Sequence, residues 1–352
     1  MKQRQYHLDI LRIVATVFVV LLHVSAQQWS AAATDSVAWH VFNVGDSITR
    51  WSVPAFVMIS GALFLDPART VTVKSLYTKN VLRLAVAFAV WSLIYAVYKT
   101  SAEEFALGTF AKRVIQGNGH MWFLMMLIGL YLLVPLLRRL CEEEKYVKYF
   151  LLLSFLFNIV APTVFSIVMP LLPDSPVKTL LTVAKPDYTL MQMDFVTGYS
   201  FYFVLGYYLN SRKQSVVFRV ATYIAAVAGV LVTIVGTHTA SVMLGWKYSA
   251  LYSNFSLNVF VQAVGCFVLF KAIPWRVGPR AAKVLGVLSQ CSFGVYLMHE
   301  LLIGMLYRYF GISVLSFPAY ISVPLLVVGI SCVSLVVSFV LNKIPFLNKY
   351  IV

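Results

Sequence analysis

The first groups in this chain that can do chemistry are an arginine and a histidine, Arg12 and His23, in the stretch YHLDILRIVATVFVVLLHVSA. The run between them, Ile13 to Leu22, carries no charge. On an α-helix, eleven steps of about 100° return to within roughly 20° of the start, and the rise separates the two side chains by roughly 16 Å. Both therefore share one stripe. An imidazole titrates near neutral pH and can take a proton from a hydroxyl, so His23 reads as a general base or a nucleophile. A guanidinium is a planar fork suited to anionic groups such as phosphates. Asp9, one turn before Arg12, is placed to pair with it. A blander reading stands beside this one, in which Arg12 snorkels to lipid phosphates and His23 packs inside a bundle. Ionisable groups inside apolar helices are costly, however, and as a rule face a cavity, a partner or a pathway.

Further along, Ser60 lies in a second apolar segment, and Lys79 and Arg83 open a third. His120 and Trp122 open a fourth, with Tyr131 inside it, and Tyr296, His299 and Glu300 lie near the end of a ninth. Each has an alternative role. Lys79 suits a solvated positive-inside charge, Trp122 an interfacial aromatic belt, and His299 with Glu300 a structural pair. A glutamate at that depth must find a partner such as a histidine or an arginine.

The elements that position these groups follow from composition. The 352 residues are 60% hydrophobic and only 12% charged, with a mean hydropathy of +0.82. That is the composition of a membrane protein. A spanning helix needs about 20 apolar residues. Ten segments meet or approach that length, at 8–28, 50–65, 80–98, 120–138, 147–169, 195–210, 217–237, 251–272, 284–307 and 320–341. The expected fold is an all-α polytopic bundle of about ten transmembrane helices. The second and sixth segments are short, as broken or tilted helices that line cavities are. Placing the N-terminus inside puts eighteen of the 28 Lys and Arg residues, Lys2 among them, in inner loops and eight in outer loops, so both termini are expected to be cytoplasmic. The expected outer loops, Trp29 to Thr49 and Pro170 to Asp194, are read as caps over an outward opening. The first helix lacks a small-residue cleavage site and is read as retained, within a single membrane domain spanning 1–352.

The net charge of +15 does not point to nucleic acid, because the basic residues fall between apolar runs and not on one soluble surface. Cys141, Cys266, Cys291 and Cys332 form no CxxC pair and read as packing residues. His7, His40 and His238 have no second ligand at helical spacing, so they read as solvated and no metal site is expected. The scattered glycines form no phosphate loop.

At this point the residues resemble the acyltransferase type three family of integral-membrane bacterial acyltransferases. LDILRIVATVFVVLLHVSA is similar to its opening helix, with Arg12 and His23 at the family's Arg, ten residues, His spacing. VPAFVMISGALFL, YTKNVLRLAVAFAVW, GHMWFLMMLIGLYLLVPLL and SFGVYLMHELL resemble later motifs in the family's order, although YTKNVLRLAVAFAVW lacks the proline the family often has soon after its arginine, here Arg83. The resemblance implies an O-acyltransferase of the bacterial plasma membrane, most simply an O-acetyltransferase. It would move an acyl group from cytoplasmic acyl-CoA, acetyl-CoA in the simplest case, to a hydroxyl of a surface glycan or its lipid-linked precursor. No permanently bound cofactor is implied, and the partners are donor, acceptor and membrane lipid. In that reading His23, Arg12 and His120 carry the chemistry, and Arg12, Lys79, Arg83 and Ser60 hold the donor. Trp122, Tyr131, Tyr296, His299 and Glu300 face the substrates, the two tyrosines as hydrogen-bond donors to the carbonyl oxygen. The alternative from the residues alone is a transporter or exporter of an envelope glycan or small solute, which also keeps charges inside a bundle.

Overall fold

A computed structural model of the chain describes residues 4–101, 103–193 and 198–352. Lys2, the start of the segment expected at 195–210, and Asp194 at the end of an expected loop lie outside the described residues. Every regular element among the described residues is helical. The chain runs through α1 (Tyr6–Ala26), α2 (Val37–Ser47), α3 (Ser52–Phe64), α4 (Val73–Thr100), α5 (Leu107–Gln116) and α6 (Gly119–Leu140). It continues through α7 (Glu144–Leu171), α8 (Pro176–Leu190), α9 (Tyr199–Ser211), α10 (Val216–Leu244) and α11 (Leu257–Ala272). It ends with α12 (Pro279–Phe310), α13 (Ala319–Leu341) and α14 (Pro345–Tyr350). Among the described residues nine helical stretches are long and apolar enough to cross a membrane, in agreement with the expected count of about ten. Helix α9 has only 13 residues and falls short of that length, yet most of it is buried. The two ends of the described chain meet at one end of the bundle. Arg4 packs against Gly286 near the start of α12, and Gln290 donates to Asn342 and Asn348.

Both expected outer loops contain helices. Helix α2 buries Trp39, Phe42, Asn43 and Asp46, and together with α3 it forms one broken span, Val37–Phe64. Side chains make the break. Thr49 donates to the Asp46 carbonyl and Ser52 to the Thr49 carbonyl, both at 2.7 Å, which satisfies carbonyls that an interrupted helix leaves open. Arg50 is accordingly not an outer-loop charge: it pairs with the buried Asp46 and stacks 4.2 Å from the Tyr252 ring. Helix α8 occupies most of the second expected loop. The histidines expected to be solvated also find partners. His7 bonds Asn210 at 2.8 Å, and the half-buried His238 ring lies 4.9 Å from that of His40, which is itself exposed. All four cysteines are free; Cys291 is buried and Cys332 is exposed on α13.

Helix–helix contact in lipid relies on close backbone approach at small residues. Helices α3 and α9 cross at Gly61 and Gly206. A Cβ at Gly61 would stand 1.7 Å from the Phe203 carbonyl oxygen, and one at Gly206 2.1 Å from that of Met58. The obstacle is backbone, so it cannot swing aside. Gly61→Leu is therefore expected to exceed the about 1–3 kcal/mol usual for overpacking. It should abolish the monodisperse peak in detergent gel filtration, whereas Gly129→Ala, at a glycine with open space around it, should leave the peak intact.

Candidate active site

A cavity of about 320 Å³ runs along the stripe of α1 that carries Arg12 and His23, and both side chains line it. Ser60, Arg83 and Tyr131 share its walls, as do His120, Trp122 and Tyr296. The stripe faces inward because the rest of that side of α1 packs on α3 and α12, burying Leu8, Leu11, Ala15 and Val19. Phe56, Phe123, Leu127 and Phe293 supply much of the apolar wall.

At one end stands a histidine held by a carboxylate. His23 Nδ1 donates to Glu300 Oε1 at 2.6 Å. The two side chains are 25% and 27% exposed, so solvent reaches the pair through the cavities beside it. With Nδ1 engaged, the other ring nitrogen of His23 remains for chemistry. Two more imidazoles surround it. His299 is fully buried with its ring 4.9 Å from His23, and His120 lies 6.1 Å from His23 and 5.1 Å from His299. His120 sits in the single 3₁₀ turn that begins α6, with its Nδ1 2.9 Å from the Asn118 amide. Tyr296 donates its hydroxyl to the His120 carbonyl at 2.5 Å. A hydroxyl has one proton, so Tyr296 in this arrangement holds the His120 turn and is not a free donor to a carbonyl oxygen. Tyr95, which the sequence did not single out, places its hydroxyl between the Leu297 carbonyl (2.9 Å) and the Leu301 N–H (3.0 Å). An uninterrupted α-helix joins those two groups to each other. Tyr95 thus fixes α12 at the turn that carries His299 and Glu300.

At the other end the groups are cationic. Arg12 donates to Ser289 Oγ at 3.1 Å, and Ser289 in turn donates to Asp9 at 2.8 Å. The Arg12 to Asp9 separation is 4.0 Å, so the pairing expected along α1 runs chiefly through Ser289; the other Asp9 oxygen takes Arg4. Arg83 stacks 5.2 Å from the Phe293 ring and donates to the Val352 carbonyl at 2.5 Å. Tyr131 packs on Phe64, with ring centroids 4.5 Å apart, and its hydroxyl reaches Ser60.

A sequence profile of the acyltransferase domain family matches residues 5–343 of this chain. The chain belongs to that family. No curated protein and no solved structure matches it. It is a multi-pass membrane acyltransferase; the transport alternative has no comparable support.

Within this acyltransferase the expected site residues fall into three groups. Eight line the cavity, and His299 and Glu300 stand behind His23 without lining it. Lys79 stands apart. It is exposed, and the turn that carries it, Leu76–Val81, is π-helical and sets its neighbour Asn80 in the cavity wall instead. Sequence reasoning also missed Ser289, although Ser292 opens the stretch SFGVYLMHELL that carries the resemblance. A signal existed: Ser289, Ser292, Tyr296 and His299 recur every three or four residues and mark one polar face of an otherwise apolar helix.

Proposed function

We propose that this acyltransferase moves an acyl group, most simply acetyl, from acyl-CoA to a hydroxyl of an envelope glycan, from within a bacterial plasma membrane. One observation carries the reading: a cationic group and a carboxylate-held imidazole line the same cavity, about 320 Å³ in volume. That volume sits at the small end of ligand pockets, roughly 300–1,000 Å³. It suits an acyl-pantetheine arm, with the anionic nucleotide of the donor left beyond Arg12 and Arg83. Roughly 16 Å along α1 separates the cations from the base, a span an extended pantetheine bridges.

In this mechanism the free nitrogen of His23 accepts the acceptor hydroxyl proton as the oxygen attacks the thioester carbonyl. The C–S bond then breaks, and the thiolate leaves with the proton that His23 had taken. Glu300 stays ionised at Nδ1 and stabilises the imidazolium formed between the two steps. His120 orients the acceptor beside His23. Trp122, at the same end, offers it an aromatic face.

The reading is tested with purified protein in detergent, radiolabelled acetyl-CoA and a panel of glycan acceptors; no transfer to any hydroxyl acceptor counts against it. Arg12→Ala is expected to raise the donor KM by about ten- to a hundredfold, the value of one charge-assisted hydrogen bond at about 1.5–3 kcal/mol, with acceptor KM unchanged. Equal coenzyme A affinity of the variant and the native chain in a binding titration would remove Arg12 from the donor site.

A further inference from the structure

His299 is the one imidazole of the cluster that the acyl-transfer mechanism leaves without work, and its hydrogen bonds fix its protonation. Its Nδ1 lies 2.7 Å from the Tyr296 carbonyl and 3.3 Å from that of Val295. Carbonyl oxygens only accept, so Nδ1 carries the proton and Nε2 of the neutral ring is a lone pair. That Nε2 is buried and has no hydrogen-bond partner among the described residues. A buried acceptor left open carries an uncompensated desolvation cost, which a ligand at that atom would remove. It stands beside two more donor groups. One ligand atom each from His23, His299 and Glu300 lies within 4.8 Å of the others.

From this arrangement we infer that His23, His299 and Glu300 form a binding site for a zinc-like divalent transition-metal ion, with His299 Nε2 as its preformed ligand. Two imidazoles and one carboxylate are a donor set that zinc takes with a fourth position open, at about 2.0–2.2 Å per bond. Tetrahedral bonds of that length put the donor atoms roughly 3.3 Å apart, so the widest separation in the set, within 4.8 Å, has to close by no more than about 1.5 Å when an ion binds. A metal-ligating histidine ordinarily donates its second nitrogen to a carbonyl or carboxylate, which orients the ring. His299 already makes that bond. Two ligands come from α12 and one from α1, on helices whose backbones pack together. The sequence hides the set because no two of the three have the i, i+4 spacing of a helical ligand pair.

The metal and the acyl-transfer role of His23 exclude each other. The proton now held between His23 Nδ1 and Glu300 Oε1 must move to the other ring nitrogen or to water before both groups can bind an ion. A filled site therefore occupies the base and its carboxylate, and zinc acts as a reversible inhibitor. This last consequence rests on the acyltransferase mechanism above; the metal site does not.

Chelator-treated full-length protein in detergent, titrated with zinc chloride against a chromophoric competitor, is expected to take up about one tight equivalent. His299→Gln should weaken that binding by more than about tenfold. X-ray absorption at the zinc edge of the loaded native protein needs no variant and should report two imidazoles and a carboxylate oxygen. Binding equally tight in His299→Gln, no tight equivalent in the native protein, or a zinc shell without histidine overturns the inference. Zinc bound in the expected shell to a protein that transfers no acyl group in the metal-free state refutes the acyltransferase mechanism and leaves the metal site standing.

Discussion

His23→Ala is expected to lower the initial rate of acetyl transfer by roughly two to four orders of magnitude, the usual contribution of a positioned general base, while the protein remains folded. The rate falls because no other group takes its place. His299 points a lone pair toward the cluster but lies behind His23, outside the cavity wall. His120 lines the cavity on the far side of a ring-to-ring distance of 6.1 Å. The fold is expected to survive because His23 is a quarter exposed, it is not among the buried residues of α1, and Glu300, the partner it leaves, is itself 27% exposed. The measurement is the rate with radiolabelled acetyl-CoA, taken beside a thermal melt in the same detergent. A variant that melts like the native chain and transfers acetyl at the native rate would exclude His23 from the chemistry. Rapid quenching of the native enzyme separates its two candidate roles, because a nucleophile leaves label on His23 before acceptor is added and a base does not.

Much of this arrangement was legible because the helix period is local. Arg12 and His23 share a stripe by arithmetic on residue numbers, and the apolar runs set the number and order of the spans. What the sequence hid depends on contacts between distant segments. It required Glu300 to find a histidine or an arginine, but His23 is its partner only because α1 packs on α12. The run from Val37 to Ser47 reads as loop in the sequence because it mixes Trp39, Asn43 and Asp46 with few long aliphatic residues. Such a segment is helical here because Asp46 meets Arg50 and Asn43 takes the Tyr252 hydroxyl. The resemblance implies a donor-binding role for Lys79 beside Arg83, whereas the residue alone suits a solvated positive-inside charge. The π-helical turn changes which side chain faces inward, and no local pattern announces that turn.

Glu300→Gln tests whether the carboxylate behind His23 is structural or part of the chemistry. Glutamine keeps the length and an accepting oxygen but loses the charge. If Glu300 only ties α12 to α1, the neutral bond preserves most of that tie, and kcat should follow the folded fraction. If it stabilises the imidazolium formed as the hydroxyl is deprotonated, the loss appears only as that charge develops. The expected result is the second: kcat lower by about a hundredfold or more, donor KM unchanged within about twofold, and a melting temperature close to native. The split follows from position. Glu300 touches His23 but does not line the cavity that holds Arg12 and Arg83, so removing its charge leaves donor binding alone. The resting variant pair carries no charge, so it escapes the penalty of an uncompensated buried charge and the melting temperature stays near native. Glu300→Asp restores the charge one methylene short, and it should recover part of kcat in proportion to how closely the shorter carboxylate approaches His23 Nδ1. A Glu300→Gln variant with native kcat would assign the pair to helix packing and leave His23 to find its orientation elsewhere.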